Sequence, residues 1–365
     1  MEISGSIRLF FLFDVGEEID FTRAAELRGG DPARRKTSAH APRYLGFESP
    51  PLLLAVETAG ETEIRAKAFS YGVLSVEYRL PSAADWDALT RQTATLLDDG
   101  ALAEDARARA AALANRLGNA IRDRYPEWLS EEYLAVEIHG TPIEGSRLLE
   151  LYRSPITQLV RGEVAPLSAT EQQEVLGGAI SCYPSDMLVA GWAAAVVYDA
   201  TEGREDTLQL LEYANAQLLE YRHYAERLNV ILRELHALTR QHMPFWKRAW
   251  RRYRAVKEAE RLNNMRLEIR DLSDRNDDSL RLLGDMFYNR AYRLISSRIG
   301  LDDYRRLVEE KLHTAGELYQ FLALIRLLQQ EYGFPVTNGM SGRPDRKVLK
   351  PSRGVPDVAE QWSLL

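Results

Sequence analysis

The fold of this chain is decided by one stretch, Thr207 to Glu234, with the sequence TLQLLEYANAQLLEYRHYAERLNVILRE. Apolar residues return every seven positions in two series, which are Leu211, Leu218, Ala225 and Leu232, and Ala214, Tyr221, Leu228 and Leu235. A two-position apolar repeat sustained in this way indicates a helix that packs along its length against other helices. We therefore predict a helix-packing interface of Leu211, Leu218, Tyr221, Leu228, Leu232 and Leu235.

The residues before this stretch interleave strand and helix patterns, which predicts an α+β fold class. Residues 7–13, IRLFFLF, indicate a buried strand. Residues 64–69 and 73–80 indicate either a hairpin or one strand broken by Gly72. We predict a mixed α/β domain over 1–200, a coiled-coil-like antiparallel helical domain over 201–332, and a flexible tail over 333–365, which is rich in glycine, proline and charge.

Local signals predict several boundaries. Ser82 is the expected N-cap of a helix from Ala83 to Leu97, and Ala103 to Arg124 is expected to form a second helix. Ser168 and Glu171 fit a capping box that opens another helix. Short strands are expected near residues 179–183 and 193–198, and a helix break at Gly300.

Composition narrows the classes of function. The formal net charge of -7 argues against wholesale nucleic-acid binding, so no DNA partner is expected. The one cysteine, Cys182, provides neither a disulfide framework nor a cysteine metal cluster. The longest candidate for a membrane span, Phe321 to Leu328, is shorter than the ~20 residues required and contains Arg326. No secretory leader is recognised, so we expect a cytoplasmic protein.

The strongest local signal is a basic aromatic segment, PFWKRAWRRYRAVK, which runs from Pro244 to Lys257. Its rings recur at helical spacing among basic residues and no acid interrupts them. A helix of this kind has three common roles. It can lie on an anionic membrane, bind RNA, or pack through its aromatic rings while its arginines pair with nearby acidic residues. We predict that it binds an anionic surface through Trp246, Lys247, Arg248, Trp250, Arg251, Arg252, Tyr253, Arg254 and Lys257.

Groups that could carry catalysis are scattered along the chain. The candidates are His139, Cys182, Asp186, Glu212 and His223, which would need to converge in a cleft between the two domains. No histidine pair has the spacing of a zinc protease, and no glycine-rich loop has the sequence of a phosphate site. We therefore assign no catalytic residue, no metal ligand and no cofactor.

Several segments together resemble the "required for meiotic nuclear division" family. They are Phe69 to Leu74 (FSYGVL), Tyr183 to Asp186 (YPSD), Trp192 to Asp199 (WAAAVVYD), Leu211 to Tyr224 and Leu283 to Asp285 (LGD), followed by Tyr288 and Tyr292. The resemblance implies an N-terminal mixed domain, then long helices ended by a hydrophobic membrane anchor; no catalytic residues are established for that family, so none is carried over to this chain. This chain departs from that pattern where the anchor is expected, at Phe321 to Leu328.

Three functions are consistent with these patterns. The first is a non-enzymatic scaffold that self-associates or binds a protein partner, with the basic aromatic segment on a membrane or a ribonucleoprotein. The second is an enzyme with a site between its domains, and the third is a dedicated RNA-binding protein. The heptad pattern favours the scaffold.

Overall fold

The computed structural model describes residues 3–27, 50–139, 143–199, 205–240, 262, 264–267, 269–270 and 286–332, except for the side chains of 26–27, 238–240 and 321–332. Met1–Tyr319 forms one compact unit and Gln320–Leu365 a second. In the second unit, the described residues are helical and end at Tyr332.

Strands and helices alternate along the first unit, which confirms the predicted α+β class. The strands are β1 (Ser4–Asp14), β2 (Gly16–Ile19), β3 (Leu52–Ala59), β4 (Thr62–Ala68), β5 (Val73–Pro81), β6 (Ile121–Arg124), β7 (Ser130–His139), β8 (Asp186–Ala190) and β9 (Ala194–Asp199). The helices are α1 (Phe21–Leu27), α2 (Trp86–Leu97), α3 (Gly100–Leu117), α4 (Gly145–Leu151), α5 (Arg153–Arg161), α6 (Ala169–Leu176), α7 (Glu205–Arg240), α8 (Met286–Arg298) and α9 (Leu301–Tyr332).

Within the described residues, seven strands form one sheet in the order β3-β4-β5-β1-β7-β9-β8. The long apolar strand β1 lies at its centre and pairs antiparallel with both β5 and β7. β7 and β9 pair in parallel, and β8 closes that edge antiparallel to β9. β2 and β6 form a separate two-stranded ribbon.

The sheet is covered on both faces, and its two faces differ in character. Alternate residues of a strand point to opposite sides, so Ile7, Leu9, Phe11 and Phe13 of β1 all enter the main hydrophobic core, which also contains residues of α2, α3 and α5. The intervening β1 residues, Arg8 among them, point to the side of α7. Because both faces are covered, β1 reads as a nearly continuous apolar run rather than an alternating one.

Helix α7 covers the second face and is itself enclosed. Every residue from Thr207 to Tyr221 except Gln209 is buried, and the helix packs against β1, β5, β7 and α8. The heptad residues of this half therefore pack on a sheet as well as on a helix, and a coiled-coil helical domain is not established. The predicted division at residue 200 stays a prediction; α7 and the sheet lie in one compact unit.

Two local predictions are confirmed. β4 and β5 form an antiparallel hairpin around Gly72, and Ser168 is the N-cap of α6, its hydroxyl accepting a hydrogen bond from the Glu171 N–H at 3.2 Å; the Glu171 carboxylate contacts Arg161, so only the N-cap half of the capping box is shown. Where the described helices are concerned, none has the length and hydropathy needed to cross a bilayer.

Three boundary predictions are wrong, each because a competing local contact prevails. The N-cap of α2 is Asp85 rather than Ser82, since the Asp85 carboxylate accepts the Ala88 N–H at 2.8 Å. The second helix ends at Leu117, and the chain turns through residues 118–120 into β6, which pairs with β2. The strand predicted near 179–183 is reduced to one bridge, Ile180 to Leu188.

Candidate functional site

A group of ionisable side chains lies buried between the sheet and α7, and we call it the buried charge network. Its members are Arg8, Arg65, Lys67, Glu77, Glu137, Glu205 and Glu212. Residues of β1, β4, β5 and β7 supply the first five, and α7 supplies the last two. The pairs of Arg8 and Lys67 with Glu77 lie within the sheet, and the pairs that include Glu205 and Glu212 join the sheet to α7.

Arg8 is the centre of the network. Its Nη1 lies 2.5 Å from Glu77 Oε1, and its Nη2 lies 2.6 Å from Glu205 Oε2 and 3.6 Å from Glu137 Oε2. The exposed fractions of the Arg8 and Glu77 side chains are 2% and 1%. The Ser6 hydroxyl donates to Glu137 at 2.8 Å, so the third carboxylate is held as well.

Lys67 forms the second junction, between the sheet and a position about two turns further along α7. Its Nζ lies 3.1 Å from Glu77 Oε2 and 2.5 Å from Glu212 Oε2. The Ser75 hydroxyl donates to the other Glu212 oxygen at 2.6 Å. At the half-buried rim, Arg65 Nη1 lies 3.3 Å from Glu205 Oε1. Both carboxylates of α7 are thus held by groups on the strands.

Burial and mutual attraction act against each other in this network. Burial alone would raise the pKa of Glu77, but Lys67 and Arg8 outweigh it and hold that pKa at about 2. Burial lowers the pKa of Lys67, yet Glu212 and Glu77 raise it above its usual value. The pKa of Glu212 is raised by burial, which Lys67 only partly offsets. Carboxylates outnumber cations in this network, and the raised pKa of Glu212 favours its protonated form.

A second polar cluster follows further along α7. His223 Nδ1 lies 2.7 Å from Asp14 Oδ2 at the end of β1, and the Tyr125 ring stacks on the imidazole at 4.3 Å. Burial raises the pKa of Asp14, and the His223 contact opposes that rise. Arg222 of α7 pairs with Glu131 of β7 beside this contact. The cluster continues the attachment of α7 to the sheet.

The segment Phe69 to Leu74, FSYGVL, contains the turn between β4 and β5. Gly72 has φ +95°, and a Cβ there would lie 1.7 Å from the Gly16 carbonyl oxygen, so only glycine fits. The Phe69 ring stacks on Tyr71 at 5.5 Å and lies 6.4 Å from Tyr213 of α7. Burial raises the pKa of Tyr71 well above its ordinary value. The segment therefore shapes a third contact between the sheet and α7.

The five sequence-predicted catalytic candidates do not converge. Glu212 belongs to the buried charge network, and His223 contacts Asp14. His139 and Asp186 are both register partners of Asp199, which places them two strands apart, roughly 10 Å, on one end of the sheet. Both carboxylate oxygens of Asp186 accept backbone N–H groups, from Cys182 and Tyr183, so this carboxylate shapes a turn. Cys182 itself is exposed.

The predicted helix-packing residues lie along α7, and their role as an interface stays a prediction. Leu211, Leu218, Tyr221, Leu228 and Leu235 are buried within the chain, while Leu232 is half-buried. The predicted anionic-surface residues, from Trp246 to Lys257, lie outside the described residues. Among the side chains that the structure describes, no group of three or more histidine, cysteine or acidic residues is placed to hold a metal ion.

Sequence reasoning missed the strand half of the buried charge network. Arg8, Glu77 and Glu137 each lie within a run of apolar or small residues of their strands, whereas Lys67 lies in β4 beside other charged residues. A charged residue on a strand that is buried on both faces requires a partner of opposite charge, because an unpaired buried charge is very costly. The charge of Arg8 within the apolar strand SIRLFFLFD therefore indicates a buried partner. Only the strand order identifies that partner as Glu77.

Comparison with known proteins gives one match. The model of the family described as "Uncharacterized protein MJ0711, N-terminal domain" matches residues 4–205, more than half of the chain. No curated protein and no solved structure matches. The match ends where α7 begins, so it covers the sheet, the helices α1 to α6 and all the strand residues of the buried charge network. This chain therefore belongs to the MJ0711 N-terminal domain family.

Proposed function

We propose that this protein is a non-enzymatic scaffold or adaptor that self-associates or binds a protein partner through its long helices. Its basic aromatic segment contacts an anionic surface, either a membrane or a ribonucleoprotein, in the cytoplasm. The resemblance to the "required for meiotic nuclear division" family, with its mixed domain followed by long helices, is part of this proposal. We also propose that the helical part of the chain is coiled-coil-like.

One observation carries the proposal: the ionisable groups between the sheet and α7 are bound to one another. A general acid or base must reach a substrate proton within hydrogen-bond distance. Glu212 is instead held by Lys67 and Ser75, and Arg8 by carboxylates on both sides. Such an arrangement fixes the position of a helix, which suits a rigid scaffold better than a reaction site.

The second half of α7 supports a partner-binding role. Beyond Ala225 the helix has exposed positions at Glu226, Asn229, Val230 and Arg233, whereas its first half is enclosed. The exposed fraction of Val230 is 46%. A helix that is anchored at one end and presents side chains at the other is a suitable docking element for a partner.

The test combines retention on anionic surfaces with a charge-matched control. The variant Arg251→Glu/Arg252→Glu reverses two charges of the basic aromatic segment. The control Arg147→Glu/Arg306→Glu makes the same change at two exposed arginines elsewhere, with side chains 61% and 72% exposed. Binding to anionic liposomes and to single-stranded RNA is measured by sedimentation at low and high salt, because phosphate contacts weaken as salt rises.

We expect the wild-type protein and the control to be retained at low salt, and the Arg251/Arg252 variant to be released. Retention on RNA but never on liposomes would identify a dedicated RNA-binding protein instead. A wild-type protein that light scattering shows to be strictly monomeric, and that neither surface retains, would contradict the scaffold.

A further inference from the structure

The contacts that hold α7 on the sheet change in character along the helix. In its first half, the α7 carboxylates of the buried charge network are paired with Arg8 and Lys67, whose side chains stay protonated well above neutral pH. In its second half, from residue 222 onward, His223 Nδ1 lies 2.7 Å from Asp14 Oδ2 at the end of β1. Histidine is the one side chain whose ordinary pKa lies between about pH 5 and 8, so this contact can change its charge near neutral pH.

Asp14 is the fully buried member of this contact. The exposed fraction of its side chain is 0%, against 14% for His223. Burial raises the pKa of Asp14, and His223 opposes that rise more than the Gly16 backbone N–H or Arg227 does. Among the described side chains, His223 is the only basic group that forms an ion pair with Asp14. A buried carboxylate is costly to ionise without such a partner, so the charge state of Asp14 is linked to that of His223.

The arginines beside this pair are engaged by other carboxylates. Arg227 Nη2 lies 3.5 Å from Glu17 Oε1, and Arg222 forms an ion pair with Glu131. The stacked Tyr125 ring is neutral, because burial raises the pKa of its hydroxyl. The pair therefore depends on its own proton for neutrality. The titratable and charged groups around it are Glu17 of β2, Tyr125 after β6, Glu131 of β7, Glu220, Arg222, Tyr224 and Arg227 of α7, and Lys311 of α9.

We propose that Asp14 and His223 form a pH-sensitive switch, which holds the second half of α7 on the sheet while the pair keeps its titratable proton and loosens it when that proton is lost. Two groups in such close contact titrate as a pair. With the proton present, either an imidazolium faces a carboxylate or a neutral imidazole faces a carboxyl group, and the pair is neutral in both arrangements. Without the proton, a negative charge is left at a fully buried position.

The direction of the pH effect follows from the two states of the helix. In the loosened state both groups are in water and titrate near their ordinary pKa values, about 3.9 for aspartate and 6.5 for histidine. The raised pKa of Asp14 means that the docked state binds the proton more tightly. Docking of the second half of α7 therefore weakens as the pH rises, by at most about tenfold per pH unit for one proton.

This inference rests on the proposed function in one respect. The second half of α7 is the part that we propose presents side chains to a partner, and a rise in pH would make more of its surface available. The pH response itself does not require any partner, so it can be measured on the protein alone.

The test measures amide hydrogen exchange of residues 222–237 at about pH 6 and about pH 8, on either side of the ordinary histidine pKa. After correction for the pH dependence of chemical exchange, we expect protection in the wild type to fall by about tenfold or more. Asp14→Asn keeps the size of the side chain and removes its charge, so protection in this variant should change less than about twofold. His313→Gln is the matched control, because this histidine of α9 is 77% exposed; it should retain the wild-type response.

A second variant keeps the test decisive if Asp14→Asn does not fold. His223→Gln leaves Asp14 without its basic partner, so residues 222–237 should already be as weakly protected at the lower pH as the wild type is at the higher pH. A tenfold fall that persists in His223→Gln would contradict the switch.

The remaining outcomes separate this inference from the proposed function. Equal protection of the wild type at both pH values would overturn the switch, and so would an unchanged response in Asp14→Asn. A wild-type response that both variants lose, in a chain that is strictly monomeric and is retained on neither liposomes nor RNA, would support the switch and contradict the scaffold.

Discussion

Breaking the buried charge network at Glu77 should destabilise the protein far more than breaking a similar pair on the surface. Glu77 is 1% exposed and contacts both Arg8, at 2.5 Å, and Lys67, at 3.1 Å. Glu77→Gln keeps the size of the side chain but leaves two buried cations short of one negative charge. Removing one partner of a buried ion pair typically costs about 3–5 kcal/mol, and we expect a loss of that size in the free energy of unfolding.

The matched control is Glu150→Gln, which removes an ion pair with Arg147 at 2.8 Å whose side chains are 68% and 61% exposed. Exposed pairs contribute about 0–1 kcal/mol, so this variant should unfold almost as the wild type does. Urea unfolding followed by far-ultraviolet circular dichroism measures both. Equal losses in the two variants, or a loss under about 1 kcal/mol for Glu77→Gln, would refute the reasoning.

Three further predictions concern single positions. Gly72→Ala should lower the free energy of unfolding by more than about 3 kcal/mol, because the added Cβ would lie 1.7 Å from a carbonyl oxygen. The control Gly60→Ala, at a position with positive φ but open space around it, should lower it by about 1 kcal/mol; thermal unfolding measures both. The pKa of Glu212 is higher in the folded protein than its ordinary value of 4.5. The folded state therefore binds this proton more tightly than the unfolded state does, and the free energy of unfolding falls as the pH rises above about 4.5. Glu212→Gln should flatten that decline in urea titrations at a series of pH values, and an unchanged slope would count against it. His223→Ala removes the nearest partner of the buried Asp14 carboxylate and should cost about 2–4 kcal/mol by urea unfolding, while His313→Ala, 77% exposed, should cost under about 0.5 kcal/mol.

The elements with strong periodicity were predictable from the sequence, and the way they assemble was not. The apolar run in β1, the hairpin around Gly72 and the long helix α7 each follow from local spacing. The heptad pattern of α7 indicated packing but did not specify the surface on which it packs. Sheets and helices both accept an apolar stripe, so the sheet beneath α7 could be identified only from the structure.

The candidate site shows the same limit. Glu212 was predicted from the sequence only as a candidate catalytic group, because its partner Lys67 lies far away in the sequence, on a different element. Single charged residues on buried strands, such as Arg8 and Glu77, signal that a partner exists without identifying it. Strand order and register supply that identity. The wrong helix end at Arg124 has a similar cause, because the pairing of β6 with β2 overrides helix propensity.

The central claim is that the first half of α7 is an enclosed part of the fold, held to the sheet by paired charges. Amide hydrogen exchange of the segment from Thr207 to Tyr221 tests this most directly, with α3 as an internal reference. We predict that this segment exchanges as slowly as β1 and far more slowly than α3, which is exposed along one face. Exchange as fast as that of α3 would mean that α7 readily leaves the sheet, and would contradict the account.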